Sequence, residues 1–153
     1  MVDAREGWNG AGGTRSAGGD AGLLVLRVVA MLLLITLHGL GKLPPGEGFV
    51  GWVGGMGFPV PTLAAWLAAL TEVVVAGLVL VGLFTRPLGL LLFVYFLIVA
   101  FVAHQGDPLG DRELPLIFGA IGLALALIGP GRFSIDAVLG RESPRSGRVS
   151  LTD

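Results

Sequence analysis

The chain has 153 residues, 54% of them hydrophobic and only 14% charged, with a formal net charge of −1 and a mean hydropathy of +0.84. Water-soluble domains carry about 25% charged residues, so an ordinary soluble domain is excluded, and ten scattered basic residues offer no nucleic-acid-binding surface. Cysteine is absent, which rules out disulfides, thiol redox chemistry and cysteine-ligated metal.

Residues 1–19 are Gly-rich and polar and read as a disordered tail on the N-terminal side. Four apolar runs come next. The first, 21–40, is broken only by Arg27 and His38, and no small-residue cleavage site succeeds it, so it reads as a retained helix rather than a signal peptide. The second, 61–84, is interrupted by Glu72; the third, 87–103, holds no charge; the fourth is 114–128. A membrane helix needs roughly 20 apolar residues. The first three runs meet that length, and the fourth reaches it if Asp111 caps a helix with Pro115 in its first turn. Residues 138–153 are polar and basic and read as a second disordered tail. The expectation is all-α: an integral membrane four-helix bundle over residues 20–137, embedded in a lipid bilayer. Small residues such as Ala64, Ala68, Ala76, Gly119 and Gly122 would let its helices approach closely.

The basic residues set the orientation. Arg5, Arg15, Arg86, Arg132, Arg141, Arg145 and Arg148 fall on one side and Lys42 and Arg112 on the other, seven against two. The positive-inside rule then predicts both termini in the cytoplasm. The loop at 42–61 is too rich in Gly and Pro to span. Its Phe49, Val50, Trp52, Val53 and Met56 suit a short segment at the interface, serving either as an anchor or as a lid over a binding site.

Depth places the polar residues. At 1.5 Å per residue, Glu72 lies about 16 Å from either end of its helix and Arg27 about 9 Å in from the inner face. An ionised group near the membrane centre costs about 2.5–3.5 kcal/mol, a cost the two would offset by facing each other. Such an Arg27–Glu72 pair either fixes helix register, or lines a ligand pocket or moves a proton. A second polar cluster is expected near the outer face. Arg27 and His38 are eleven residues apart and share a helix face, Lys42 extends the stripe, and His104 closes the third helix near Asp107, Asp111 and Glu113. His38, Lys42, His104 and Glu113 are either snorkelling or solvated interfacial groups or the mouth of a pocket in which His or Lys donates to a quinone headgroup. No H-x-x-x-H or E-x-x-H spacing supports a metal site, and no nucleophile triad, phosphate loop or dinucleotide motif is present.

The order R-x(10)-H-G-x-G-K-L at 27–43, "GFPVP" at 57–61, Glu72 followed by "AGLVLVGLFTRP", and "GPGRFSID" at 129–136 resembles the DoxX family of small bacterial membrane proteins. The likeness covers about residues 20–137, and the matched positions are Arg27, Gly39, Lys42, Glu72, Gly82 and Arg86. It implies a multi-pass protein of the bacterial plasma membrane, associated with membrane oxidoreductase systems. It implies an accessory subunit rather than a stand-alone enzyme. The readings to be separated are a redox accessory subunit binding a quinone near Arg27 and Glu72, a non-catalytic scaffold or assembly factor, and a proton-coupled transporter, which would need a homo-oligomer.

Overall fold

The computed structural model describes residues 16–140, and the two expected tails lie largely outside them. Every regular element among the described residues is helical. Helix α1 spans Ala17–Lys42, α3 Pro61–Val81 and α4 Thr85–Ala103, and each is long and apolar enough to cross a membrane. Between the first two lies α2, Glu47–Gly55; α5, Leu109–Ile128, and the short α6, Ile135–Val138, complete the set.

Helix α1 starts four residues before its apolar run. Ser16 caps it, its Oγ accepting from the Gly19 amide at 3.2 Å, which satisfies one of the orphan donors of the first turn. The reversal between α3 and α4 is completed over residues 82–84, as the short connection predicts. Gly82 and Phe84 both take left-handed backbone there, with φ of 75° and 50°. A side chain at Gly82 would be strained, and its Cβ would come within 2.5 Å of the Ser134 Cβ.

Helix α5 differs from its sequence expectation. It begins at Leu109 with Pro108 at the N-cap, so Asp111 lies in its first turn and Pro115 inside the helix. Asp111, Arg112 and Glu113 leave it a shorter apolar length than the other three long helices. Its most extensive packing is against α4, where Gly89 and Gly122 each sit so close to the other's carbonyl that an added Cβ would come within 2.7–2.8 Å of it. That is the close approach expected of small residues at a membrane helix interface.

The core runs between these pairs: Met31 and Leu34 of α1, Ala76 and Val79 of α3, Leu92 and Phe96 of α4, Phe118 and Leu125 of α5. Large apolar side chains also point outward, among them Val25, Leu37, Leu63, Leu90 and Phe101. An apolar exterior over an apolar core suits a lipid solvent.

The two ends of the described chain meet at one end of the molecule. The Arg132 amide donates to Asp20 Oδ1 at 3.3 Å, and the Asp136 amide to the Gly82 carbonyl at 2.9 Å. Lys42, α2 and His104 lie toward the other end.

Candidate functional site: a groove ending on Lys42, Glu72 and Tyr95

Three helices carry a π-helical turn: Leu34–Gly39 in α1, Thr71–Val75 in α3 and Val99–Ala103 in α4. Such wide turns are uncommon and frequent at functional sites. Here all three border one region. Gly39 packs onto the Glu72 backbone, where a Cβ would come within 2.8 Å of the Glu72 carbonyl oxygen. The α1 turn leads into a tight turn, Leu40–Lys42, which carries the lysine to the α3 side.

Lys42 Nζ lies 2.6 Å from each carboxylate oxygen of Glu72. The Tyr95 hydroxyl of α4 donates to Glu72 Oε1 at 2.5 Å. The carboxylate is therefore held by three hydrogen bonds from two neighbouring helices, and its side chain is 3% exposed, against 28% for Lys42. A buried charge persists only when so paired and hydrogen-bonded. On its other side, the Lys42 ammonium stands over the Phe49 ring of α2, 5.6 Å from its centroid, and Phe49 stacks on Trp52.

A groove of about 530 Å³ ends on Lys42 and Tyr95, with Glu72 behind them. Its walls are α3 and α4, and Phe49, Trp52, Val53 and Met56 of α2 cover it. Leu67, Val74, Leu91, Val94 and Ile98 line it and are themselves exposed, so it opens sideways between the two helices. Among its described lining residues, Lys42 alone is charged. An apolar slot with one small polar end is the usual shape of a small-molecule site.

The other expected groupings do not assemble. Arg27 does not face Glu72. The residue is 1% exposed, and its guanidinium donates to the carbonyls of Leu80 at 3.0 Å, Phe133 at 2.6 Å, and Pro130. Leu80 is eight residues beyond Glu72, about 12 Å along a helix, so Arg27 reaches the C-terminal end of α3 and finds carbonyl partners there. Asp136 is close enough to interact with its charge, and itself caps α4 by accepting from the Phe84 and Thr85 amides at 3.0 and 2.9 Å. This clamp joins α1, the α3–α4 turn and the α5–α6 connection, remote from the polar end of the groove.

The outer cluster is dispersed as well. His38 stands edge-on to Phe118 of α5, ring centroids 6.0 Å apart. His104 Nδ1 is 3.0 Å from Asp107 Oδ2 in the α4–α5 loop. Glu113 borders a shallow depression on α5. Only Lys42 joins the buried acid, because the π turn adds a residue to α1 and rotates the lysine away from the Arg27–His38 face. Among the described residues, no group of three His, Asp or Glu side chains is placed to hold a metal.

Tyr95 is a site residue that depth and charge alone do not single out. The signal it does carry is that it is the single tyrosine of the chain, in a span without charge, and a buried phenol needs a hydrogen-bond partner.

The DoxX family model matches residues 22–105, which contain α1 from Gly22 onward, all of α2, α3 and α4, and every residue of the groove's polar end. Among known proteins, the chain is 36% identical over 124 residues to "Inner membrane protein YphA" of Escherichia coli (strain K12), covering 74% of this chain and 88% of that protein. It is 32% identical to "Inner membrane protein YqjF" of the same organism, covering 80% and 95%. To "Putative oxidoreductase CatD" of Bacillus subtilis (strain 168) it is 29% identical, covering 86% and 96%. No solved structure matches. On the family match and the YphA likeness together, the chain belongs to the DoxX family and is a membrane protein.

Proposed function

We propose that the protein holds a quinone or similar lipophilic molecule in the α3–α4 groove, headgroup against Lys42, as an accessory subunit of a membrane redox system. The observation that carries this reading is the placement of the Lys42–Glu72–Tyr95 cluster at the closed end of a lipid-facing apolar slot. A ligand dissolved in the bilayer would enter between the helices, bury its tail along the exposed aliphatic walls and meet its hydrogen-bond donor under α2. The name of the Bacillus subtilis relative favours a redox setting. The ligand site expected at Arg27 and Glu72 from sequence is thereby re-centred on Lys42, with Glu72 retained.

The accompanying topology is four spans with both termini cytoplasmic. Arg86 and Arg132 stand at the end where the described chain ends meet, in keeping with the positive-inside rule. The Asp111–Glu113 charges would sit among the headgroups at the start of the fourth span.

The test is gentle extraction from a quinone-containing membrane, followed by mass spectrometry of the bound lipophiles. Quinone should accompany the wild type in near-stoichiometric amount and be depleted in Lys42→Met. A wild-type protein that is folded yet quinone-free would overturn the reading.

A further inference from the structure

Resting on the groove reading above, we infer that Glu72 sets the selectivity of the site: by neutralising Lys42 it makes the groove accept neutral, carbonyl-bearing amphiphiles and refuse anionic lipids. A lone lysine at the end of an apolar slot would otherwise be a receptor for the most abundant anions in a bilayer, fatty carboxylates and lipid phosphates. In this fold the ammonium is already met by both carboxylate oxygens at 2.6 Å. The acid itself is 3% exposed and is absent from the groove lining. A ligand headgroup therefore meets an ammonium with a hydrogen left to donate but with its charge balanced from behind.

The surrounding groups sharpen that choice. Tyr95 spends its hydroxyl hydrogen on Glu72 Oε1, so toward the groove its oxygen can only accept. Phe49 covers a further side of Lys42 with a ring face, the side an anion would need for a second contact. Arg27, the other cation of α1, is committed to three carbonyls at the far end. One donor of balanced charge beneath stacked aromatic rings suits a ring carbonyl. An added carboxylate or phosphate would lie near Glu72 with no cation of its own, and like charges brought together suppress a wrong partner.

Two probes of matched tail length separate the possibilities: a benzoquinone carrying a decyl chain, and decanoate. Equilibrium binding is measured with the full chain in nanodiscs of zwitterionic lipid, for wild type, Glu72→Gln and the double variant Lys42→Gln/Glu72→Gln. Wild type should bind the quinone at least about tenfold more tightly than decanoate. Glu72→Gln, which keeps an acceptor for Tyr95, should raise decanoate affinity by about tenfold or more, and the double variant should lose that gain. A quinone-to-decanoate ratio unchanged in folded Glu72→Gln would overturn the inference while leaving the groove reading intact. Wild-type binding of decanoate as tight as that of the quinone would overturn it without recourse to any variant. Wild type binding neither probe would sink both.

Discussion

Lys42 Nζ stands 2.6 Å from both carboxylate oxygens of Glu72, a residue thirty positions further along the chain. The pair joins the C-terminal end of α1 to the middle of α3 beneath α2, Lys42 facing the groove and Glu72 lying behind it. Its two members are unequal, since Glu72 is enclosed while Lys42 keeps an exposed flank.

That inequality predicts asymmetric stability losses. Lys42→Met strands a buried carboxylate with Tyr95 as its remaining partner and should cost about 3 kcal/mol. Glu72→Gln leaves an acceptor in place and a lysine able to extend toward the headgroups, and should cost about 1 kcal/mol. Replacing both by apolar residues should recover most of the Lys42→Met loss. Denaturant unfolding in mixed micelles checks this; equal costs for the two single variants would contradict the geometry.

Gly39 carries a second prediction. A methyl group there would come within 2.7 Å of the Val73 Cγ2 and 2.8 Å of the Glu72 carbonyl, whereas at Gly41 it would meet nothing within 4 Å. Gly39→Ala should therefore destabilise by about 2 kcal/mol through overpacking and weaken ligand binding by pushing α3 away from Lys42. Gly41→Ala is the matched control and should leave ligand affinity unchanged.

At the end of the molecule away from the groove's polar end, Arg27 spans three carbonyls from α3 and the α5–α6 connection. Lysine cannot reproduce that fork, so Arg27→Lys should cost about 2–3 kcal/mol, with two charge-assisted bonds lost or weakened. Ligand affinity of the folded fraction should not change. A selective loss of ligand with stability intact would move the site to this end.

Asp136 caps α4 from across the turn, through the Phe84 and Thr85 amides. Asp136→Ala should lower stability by about 1–2 kcal/mol, and Asp136→Asn by less, because the amide keeps one acceptor oxygen. Hydrogen exchange localised to the first turn of α4 is the direct readout.

What is legible in the sequence divides from what is not along physical lines. The three long spans, the α3–α4 hairpin and the short apolar segment at residues 49–56 come from hydropathy, turn residues and length, which are local properties. Glu72 stands out for the same reason, as a charge in a span. Its partner does not, because pairing depends on rotation and depth together. Counting 3.6 residues per turn from Arg27 to His38 and Lys42 assumes a regular helix. The π turn at Leu34–Gly39 breaks that count, separates His38 from Lys42 and presents the lysine to α3. An acid is the natural partner to expect for Arg27, because charges are visible in a sequence. The carbonyls that hold it are visible only once α3 and the α5–α6 connection are folded around it. Tyr95 carries a signal in being a lone phenol in an uncharged span, yet its hydroxyl finds Glu72 only through the α3–α4 hairpin. The position of α2 over the groove likewise depends on where Phe49 lands relative to Lys42.

The most direct test of the groove is photolabelling in native membranes with an azidoquinone bearing a long aliphatic tail, the modified positions then being mapped by peptide mass spectrometry. Label should concentrate on α2 and on the groove sides of α3 and α4, around Phe49, Trp52, Val74 and Val94, and fall sharply in folded Lys42→Met. Label spread evenly over the outer faces of the helices and indifferent to Lys42, or gathered at the Arg27 end, would contradict the account.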